Sequence, residues 1–249
     1  ILLISGCTGQ QINPDQTVSE NVYSGTRGLD MRFMLNMPPR KIYDASTLEM
    51  IAELENKGAY DLNGGNCILH LAGYDESIIR GVQNEKSCGS NLFGKSSGFP
   101  TGGYDVAEFK TDLIRLPEGI DSFPQKFTLS ACYEYETNAN PIVCIDPQMY
   151  KIRPIQEACI VNDVLVAGGQ GAPVAVTKVE VDMVGANKAA FVIHISNVGL
   201  GTVLAHGVPI SGRGYGSCPF NLQYEDYNIV DYQITMTDGF MIKCSPEKL

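Results

Sequence analysis

The chain has no tryptophan, only three histidines and no Cys-x-x-Cys pair, and each gap excludes a class of function. His70, His194 and His206 are scattered, so the paired spacings of a zinc site are missing. No serine stands in Gly-x-Ser-x-Gly and no His–Asp pairing is legible, which leaves no hydrolase nucleophile to name. Acidic loops such as Glu225-Asp226 lack the D-x-D-x-D spacing of a calcium loop. No apolar run approaches the ~20 residues of a membrane-spanning helix. A basic cluster is missing too. With 28 acidic against 18 basic residues and a formal charge of −10, the chain is a poor binder of nucleic acid, whose affinity comes mostly from phosphate neutralisation. No catalytic residue, metal ligand or cofactor is assigned.

Cysteine, by contrast, is abundant. Eight cysteines without metal spacing point to secretion and disulfides, and so to an extracellular or cell-surface location. Local spacing suggests Cys67 with Cys88, Cys144 with Cys159 and Cys218 with Cys244, leaving Cys7 and Cys132 over.

Met50–Leu62 reads MIAELENKGAYDL, and Phe191–Val203 reads FVIHISNVGLGTV. With Asn56 on Asn197 and Gly58 on Gly199, Met50, Ala52 and Leu54 fall on Phe191, Ile193 and Ile195. Each copy is an alternating apolar run closed by Asn-x-Gly. Alternation buries one face of a strand, and Asn and Gly suit the turn that ends it. Alone, the first copy also fits a helix, with a capping box at Ser46-x-x-Glu49 and Leu48, Ile51 and Leu54 at helical spacing. The second copy, short and β-rich, decides for strand.

The rest of the chain supports that reading. Strands are expected at Leu29–Phe33, Cys67–Leu71, Tyr104–Leu116, Lys126–Glu136, Ile142–Ile145 and Tyr150–Ile160. Ala167–Pro173, AGGQGAP, reads as a linker. Beyond it come Val174–Val184, Phe191–Ser196, Thr202–Val208, Leu222–Tyr224, Ile229–Thr237 and Phe240–Cys244. Many short strands with turns every 8–12 residues give an all-β chain of two tandem immunoglobulin-like β-sandwich domains. The expected division is an extended N-terminal arm over 1–27, a first domain over 28–165 and a second over 172–249.

Three local features imitate chemistry. Gly89–Ser96, GSNLFGKS, matches the phosphate-binding G-x-x-x-x-G-K-S letter for letter, but no buried strand precedes it and SGFPTGG after it cannot start a helix. His194 and His70 both alternate to the outward faces of their strands. Glu134 and Glu136 share a strand face opposite Tyr133 and Tyr135, which reads as a solvated acidic face.

ELENKGAYDL and HISNVGLGTV resemble the B–C region of CARDB-like immunoglobulin domains of prokaryotic surface proteins. The run Gly28–Gly73 and the cysteines around CYEYETNANPIVCIDP resemble secreted archaeal proteins. The resemblance implies adhesive, spacer or assembly modules rather than an enzyme; the missing tryptophan departs from the antibody-type core. At the N-terminus, Ile1, Leu2, Leu3 and Ile4 form a bare apolar run followed by the polar tether Asn13–Arg27. The expectation is a non-enzymatic extracellular structural protein, a subunit of a surface filament or envelope assembly. It polymerises with copies of itself by donating Ile1–Ile4 as a strand, and Cys7 and Cys132 are available for an intersubunit disulfide. The alternative is a surface binding or adhesion module anchored to the membrane through a lipid on Cys7, because Ile4-Ser5-Gly6-Cys7 resembles a lipobox.

Overall fold

The computed structural model of the chain describes residues 22–148, 159–184, 188–211, 222–239, 241–242, 244–246 and 248–249. The N-terminal run Ile1–Ile4, Cys7 and Cys218 lie outside the described residues. The first unit comprises β1 (Leu29–Phe33), β2 (Thr47–Asn56), β3 (Cys67–Ala72), β4 (Glu85–Ser87), β5 (Tyr104–Leu113) and β6 (Thr128–Tyr133). After it come β7 (Val164–Leu165), β8 (Val174–Met183), β9 (Ala189–Asn197), a 3-10 turn at Tyr224–Asp226, β10 (Ile234–Thr235) and β11 (Met241–Ile242). The architecture is all-β, and every pairing is antiparallel.

In the first unit the sheets run β1-β2-β5 and β4-β3-β6 and share one core. Alternation along TLEMIAELEN turns Leu48, Met50, Ala52 and Leu54 inward, none more than 3 % exposed. Cys67, Leu69 and Leu71 of β3 join them, with Phe109 from β5 and Leu62 and Leu92 from loops. Each such side chain contributes roughly 1.5–3 kcal/mol when fully buried. The Cys67–Cys88 disulfide, with both residues at 0 % exposure, fills part of this interior, so the core closes on Phe109 and sulfur without a tryptophan. Cys144 and Cys159 form the second disulfide, nearer the surface.

The internal repeat recurs in hydrogen bonds. Asn56 Oδ1 accepts from the Gly58 N–H at 3.0 Å, and its Nδ2 donates to the Tyr60 carbonyl at 2.7 Å. Asn197 Oδ1 accepts from the Gly199 N–H at 3.1 Å, and its Nδ2 donates to the Gly201 carbonyl at 2.8 Å. The strand partners recur as well. Leu29 of β1 pairs with Asn56, and Val174 of β8 pairs with Asn197. Lys57 N then donates to Gly28 O, as Val198 N donates to Pro173 O. The β1–β2 and β8–β9 hairpins are therefore the same unit closed by the same side-chain turn. They differ in depth: Asn56 is fully buried and adds a bond to the Leu92 carbonyl at 2.9 Å, whereas Asn197 is exposed.

Several sequence expectations need correcting. Ala167–Pro173 is no free linker. It connects β7 to β8 and is buried at its centre, with Gln170 at 5 % and Ala172 at 1 % exposure. Gln170 holds the bulge between Val176 and Lys178: its Oε1 accepts from Val176 N at 2.9 Å and its Nε2 donates to Val176 O at 3.1 Å. Val164 and Leu165, placed with the first domain by sequence, pair instead with Val179 and Lys178. Ile142–Ile145 forms no strand, and Thr202–Val208 keeps only the single bridge of Leu204 to Tyr227. Leu222–Tyr224 leads into the 3-10 turn, and Ile229–Thr237 and Phe240–Cys244 shrink to the two-residue strands β10 and β11. Most of Tyr150–Ile160 lies outside the described residues.

Burial separates the two copies of the turn energetically. Asn56→Ala leaves the Gly58 N–H and the Tyr60 carbonyl without their partner and takes one of two donors from the Leu92 carbonyl, and is expected to lower stability by about 2–4 kcal/mol. Asn197→Ala, where water replaces the lost bonds, is expected to change it by less than about 1 kcal/mol. Chemical denaturation of the two variants measures the difference, and equal effects would contradict the burial argument.

Candidate functional site

The Gly89–Ser96 loop has the letters of a phosphate cradle but not its amides. Ser90 N and Asn91 N donate to Asp105 Oδ2 at 3.0 and 3.3 Å, and Gly94 N donates to Asp61 Oδ1 at 2.6 Å. Lys95 N donates to Gly58 O at 2.7 Å and Ser96 N to Phe99 O at 3.1 Å. Two carboxylates thus stand where phosphate charge would have to go. Leu92 is buried at 0 % exposure and bridges Leu62, so the loop is anchored in the core, and no helix follows it.

His70 is a correction. Alternation sends it outward from β3, yet it is only 4 % exposed. Its Nε2 lies 3.2 Å from the Ile210 carbonyl and its Nδ1 lies 3.5 Å from Glu85 Oε1. Ser130 faces it in register across β6, with a buried hydroxyl that has no hydrogen-bond partner, and Cys132 next along is a buried free thiol. Histidine, carboxylate, hydroxyl and thiol therefore meet on one sheet face. The ring nitrogens meet Ile210 and Glu85, which ties β3 to a later segment of the chain. Only the non-local cover, invisible to local periodicity, could have marked His70 as buried.

The other candidates disperse. His194 is exposed and meets Glu180 Oε1 at 3.0 Å, in a surface network with Lys178 and Asp163. Lys178 holds the carboxyls of Asp163 and Glu180 below their usual range. Glu134 and Glu136 are exposed, as expected, beyond the end of β6. A carboxyl pair that sequence reading missed is Glu49 with Glu108, across β2 and β5; their shared hydrogen bond holds Glu49 above the usual range on an open sheet face. Cys244 is a free thiol, and its expected partner Cys218 lies outside the described residues. Cys132 is covered, so a bond to Cys7 of another copy requires that cover to move. Among the described residues no cluster of three His, Cys, Asp or Glu could hold a metal, and no helix is long and apolar enough to cross a membrane.

The densest functional-looking geometry is the junction between the halves. Tyr135 donates its hydroxyl to the Gly171 carbonyl at 2.8 Å and accepts from Tyr60 N at 3.3 Å. Gly171 O also accepts from Ala59 N at 2.8 Å. Gly25 N donates to Gly168 O at 2.7 Å and Gly25 O accepts from Gly171 N at 2.9 Å. The backbones approach so closely that a Cβ on Gly58 would lie 1.7 Å from Tyr135 Oη, and one on Gly169 2.3 Å from the Gly25 carbonyl. Burial pushes the Tyr135 phenol up to about 12.

Two outcomes follow from this geometry. ATP or GTP is expected to leave the melting temperature unchanged, and Lys95→Ala to shift stability by only a few tenths of a kcal/mol; a nucleotide-dependent shift abolished by that substitution would overturn the loop assignment. Tyr135 gives a pH signature. Its folded value exceeds the ~10 of an exposed tyrosine, so its contribution is complete below pH ~10 and is lost as pH rises towards ~12. Unfolding free energies measured across that window are expected to fall with pH in the wild type, and less steeply in Tyr135→Phe.

No protein-family model, curated protein or solved structure matches this chain, and its function is read from the geometry above.

Proposed function

We propose that the chain is a non-enzymatic structural protein of the cell exterior, a subunit of a surface filament or envelope layer, and that copies join when the Ile1–Ile4 segment of one adds as a strand to the next. The first unit's order, β1-β2-β5 over β4-β3-β6, supports reading it as strands A-B-E and C′-C-F of an immunoglobulin-like sandwich. On the same reading the β8–β9 hairpin is A and B of a second such domain, in keeping with the CARDB-like resemblance. The two disulfides are compatible with an oxidising, extracellular setting.

One observation carries the reading: two polar side chains of the first unit bond to later parts of the chain. Tyr135 bonds Tyr60 to Gly171, and His70 meets Ile210. Groups used in this way transmit load between units. An apolar N-terminal run on a polar tether adds the means of linking copies, since backbone pairing supplies affinity and alternate side chains supply fit. Such head-to-tail donation extends without closing unless its rotation makes a ring.

Deletion of Ile1–Ile12 is expected to turn large particles into folded, soluble monomers, read by light scattering and electron microscopy. Polymers unchanged by the deletion would sink the proposal. A lipid mass on Cys7 with residues 1–6 removed would replace it with the membrane-anchored module.

A further inference from the structure

Superposing the internal repeat exposes a gap. In the first unit the outer edge of β2 is filled by β5 along its length, from Thr47 opposite Leu113 to Glu55 opposite Tyr104. Its equivalent β9 pairs only with β8, and among the described residues no strand lies on its other edge. The direction of the backbone groups matches as well. Ile51 O accepts from Met34 N on the β1 side, so Met50, Ala52 and Leu54 address β5. Lys188 O accepts from Val184 N at one end of β9 and Val198 N donates to Pro173 O at the other, so Phe191, Ile193 and Ile195 address the open edge.

Two further observations mark this edge as built to receive a strand. Met50, Ala52 and Leu54 are fully buried, whereas Phe191, Ile193 and Ile195 are only half-buried. The apolar face of β9 is thus incompletely covered at the positions that β5 and its sheet complete in the first unit. The edge is also unguarded. On β5, the Lys86 ammonium meets the Glu108 carbonyl, Asp105 Oδ1 accepts from Val106 N at 2.9 Å, and Arg80 O accepts from Asp112 N at 2.8 Å. Charges and caps of this kind prevent edge pairing. AAFVIHISN of β9 has one ionisable side chain, His194.

We infer that the outer edge of β9 is the acceptor for the Ile1–Ile4 strand of a second copy, added antiparallel as β5 is added to β2; this rests on the strand-donation reading above. Donor and acceptor match in chemistry. Residues 1–12, ILLISGCTGQQI, carry no charge in a chain of net −10, and the β9 edge is nearly as neutral. Alternate residues of the run, Ile1 with Leu3 or Leu2 with Ile4, fall beside Phe191 and Ile193. The reach suffices. Val22, where the described chain begins, is buried and its carbonyl lies against Gly171 at the junction. The 18 residue-to-residue steps from Ile4 to Val22 span up to ~60 Å when extended.

The test uses the full chain with a photo-crosslinking amino acid at Leu3, prepared in isotopically heavy and light forms that are mixed before assembly. The expected product joins the N-terminal peptide of one isotope to the 189–197 peptide of the other. In parallel, Ile193→Pro removes an outward N–H without touching the β8 ladder, and is expected to abolish the large particles while the Cys67–Cys88 disulfide and cooperative melting persist. Crosslinks confined to one isotope would show an arm folded onto its own β9 and overturn donation between copies. Polymers whose crosslinks reach any other segment would overturn the β9 acceptor while leaving strand donation standing. A full chain that neither polymerises nor crosslinks would sink both.

Discussion

The fold depends on a side chain that cannot be present: any Cβ at position 58 would occupy the place of the Tyr135 hydroxyl. Because the space is free, the phenol reaches between Tyr60 and Gly171, and one carbonyl ties the end of the first unit to the start of β8. Asn56, two residues earlier, holds the turn open by satisfying both its own strand end and the Leu92 loop. That loop is the one that resembles a phosphate site, and its anchoring in the core follows from the same asparagine. Strand end, loop and junction are thus a single, largely buried hydrogen-bonded network, where each bond supports its neighbours.

What the sequence disclosed and what it hid divide along physical lines. Long alternating strands such as β2, β5 and β8 were legible because one face meets a core and the other water, and the repeat removed the helix alternative. Cys67–Cys88 and Cys144–Cys159 were legible because both are local. Short strands were not: β4 and β7 exist through their partners rather than through any pattern of their own. Ile142–Ile145 has strand-forming residues but, among the described residues, no strand pairs with it. AGGQGAP misled for a different reason. Glycine serves a loose linker and a close backbone contact equally well, and only the contacts of Gly25, Ala59 and Tyr135 tell which.

The charge of the molecule is distributed over the outer sheet faces. Arg32 with Glu53, Glu49 with Glu108 and the Asp163–Lys178–Glu180–His194 group all project from strands whose other side is apolar. Exposed pairs of this sort contribute little to stability, about 0–1 kcal/mol each. Their effect is to fix which faces remain in water, and the acidic excess keeps those faces from meeting one another.

The Cys144–Cys159 bond has a consequence for what happens when the backbone is cut. It bypasses a stretch of 15 positions that lies between the two units along the chain. A protease that severs the backbone anywhere inside that stretch makes a nick, not a release, because the sulfur bridge still joins the fragment carrying β1–β6 to the fragment carrying β7–β11. The same bridge shortens the covalent path under tension, so a pull along the chain bypasses the enclosed residues. A break there is silent until a reductant is present.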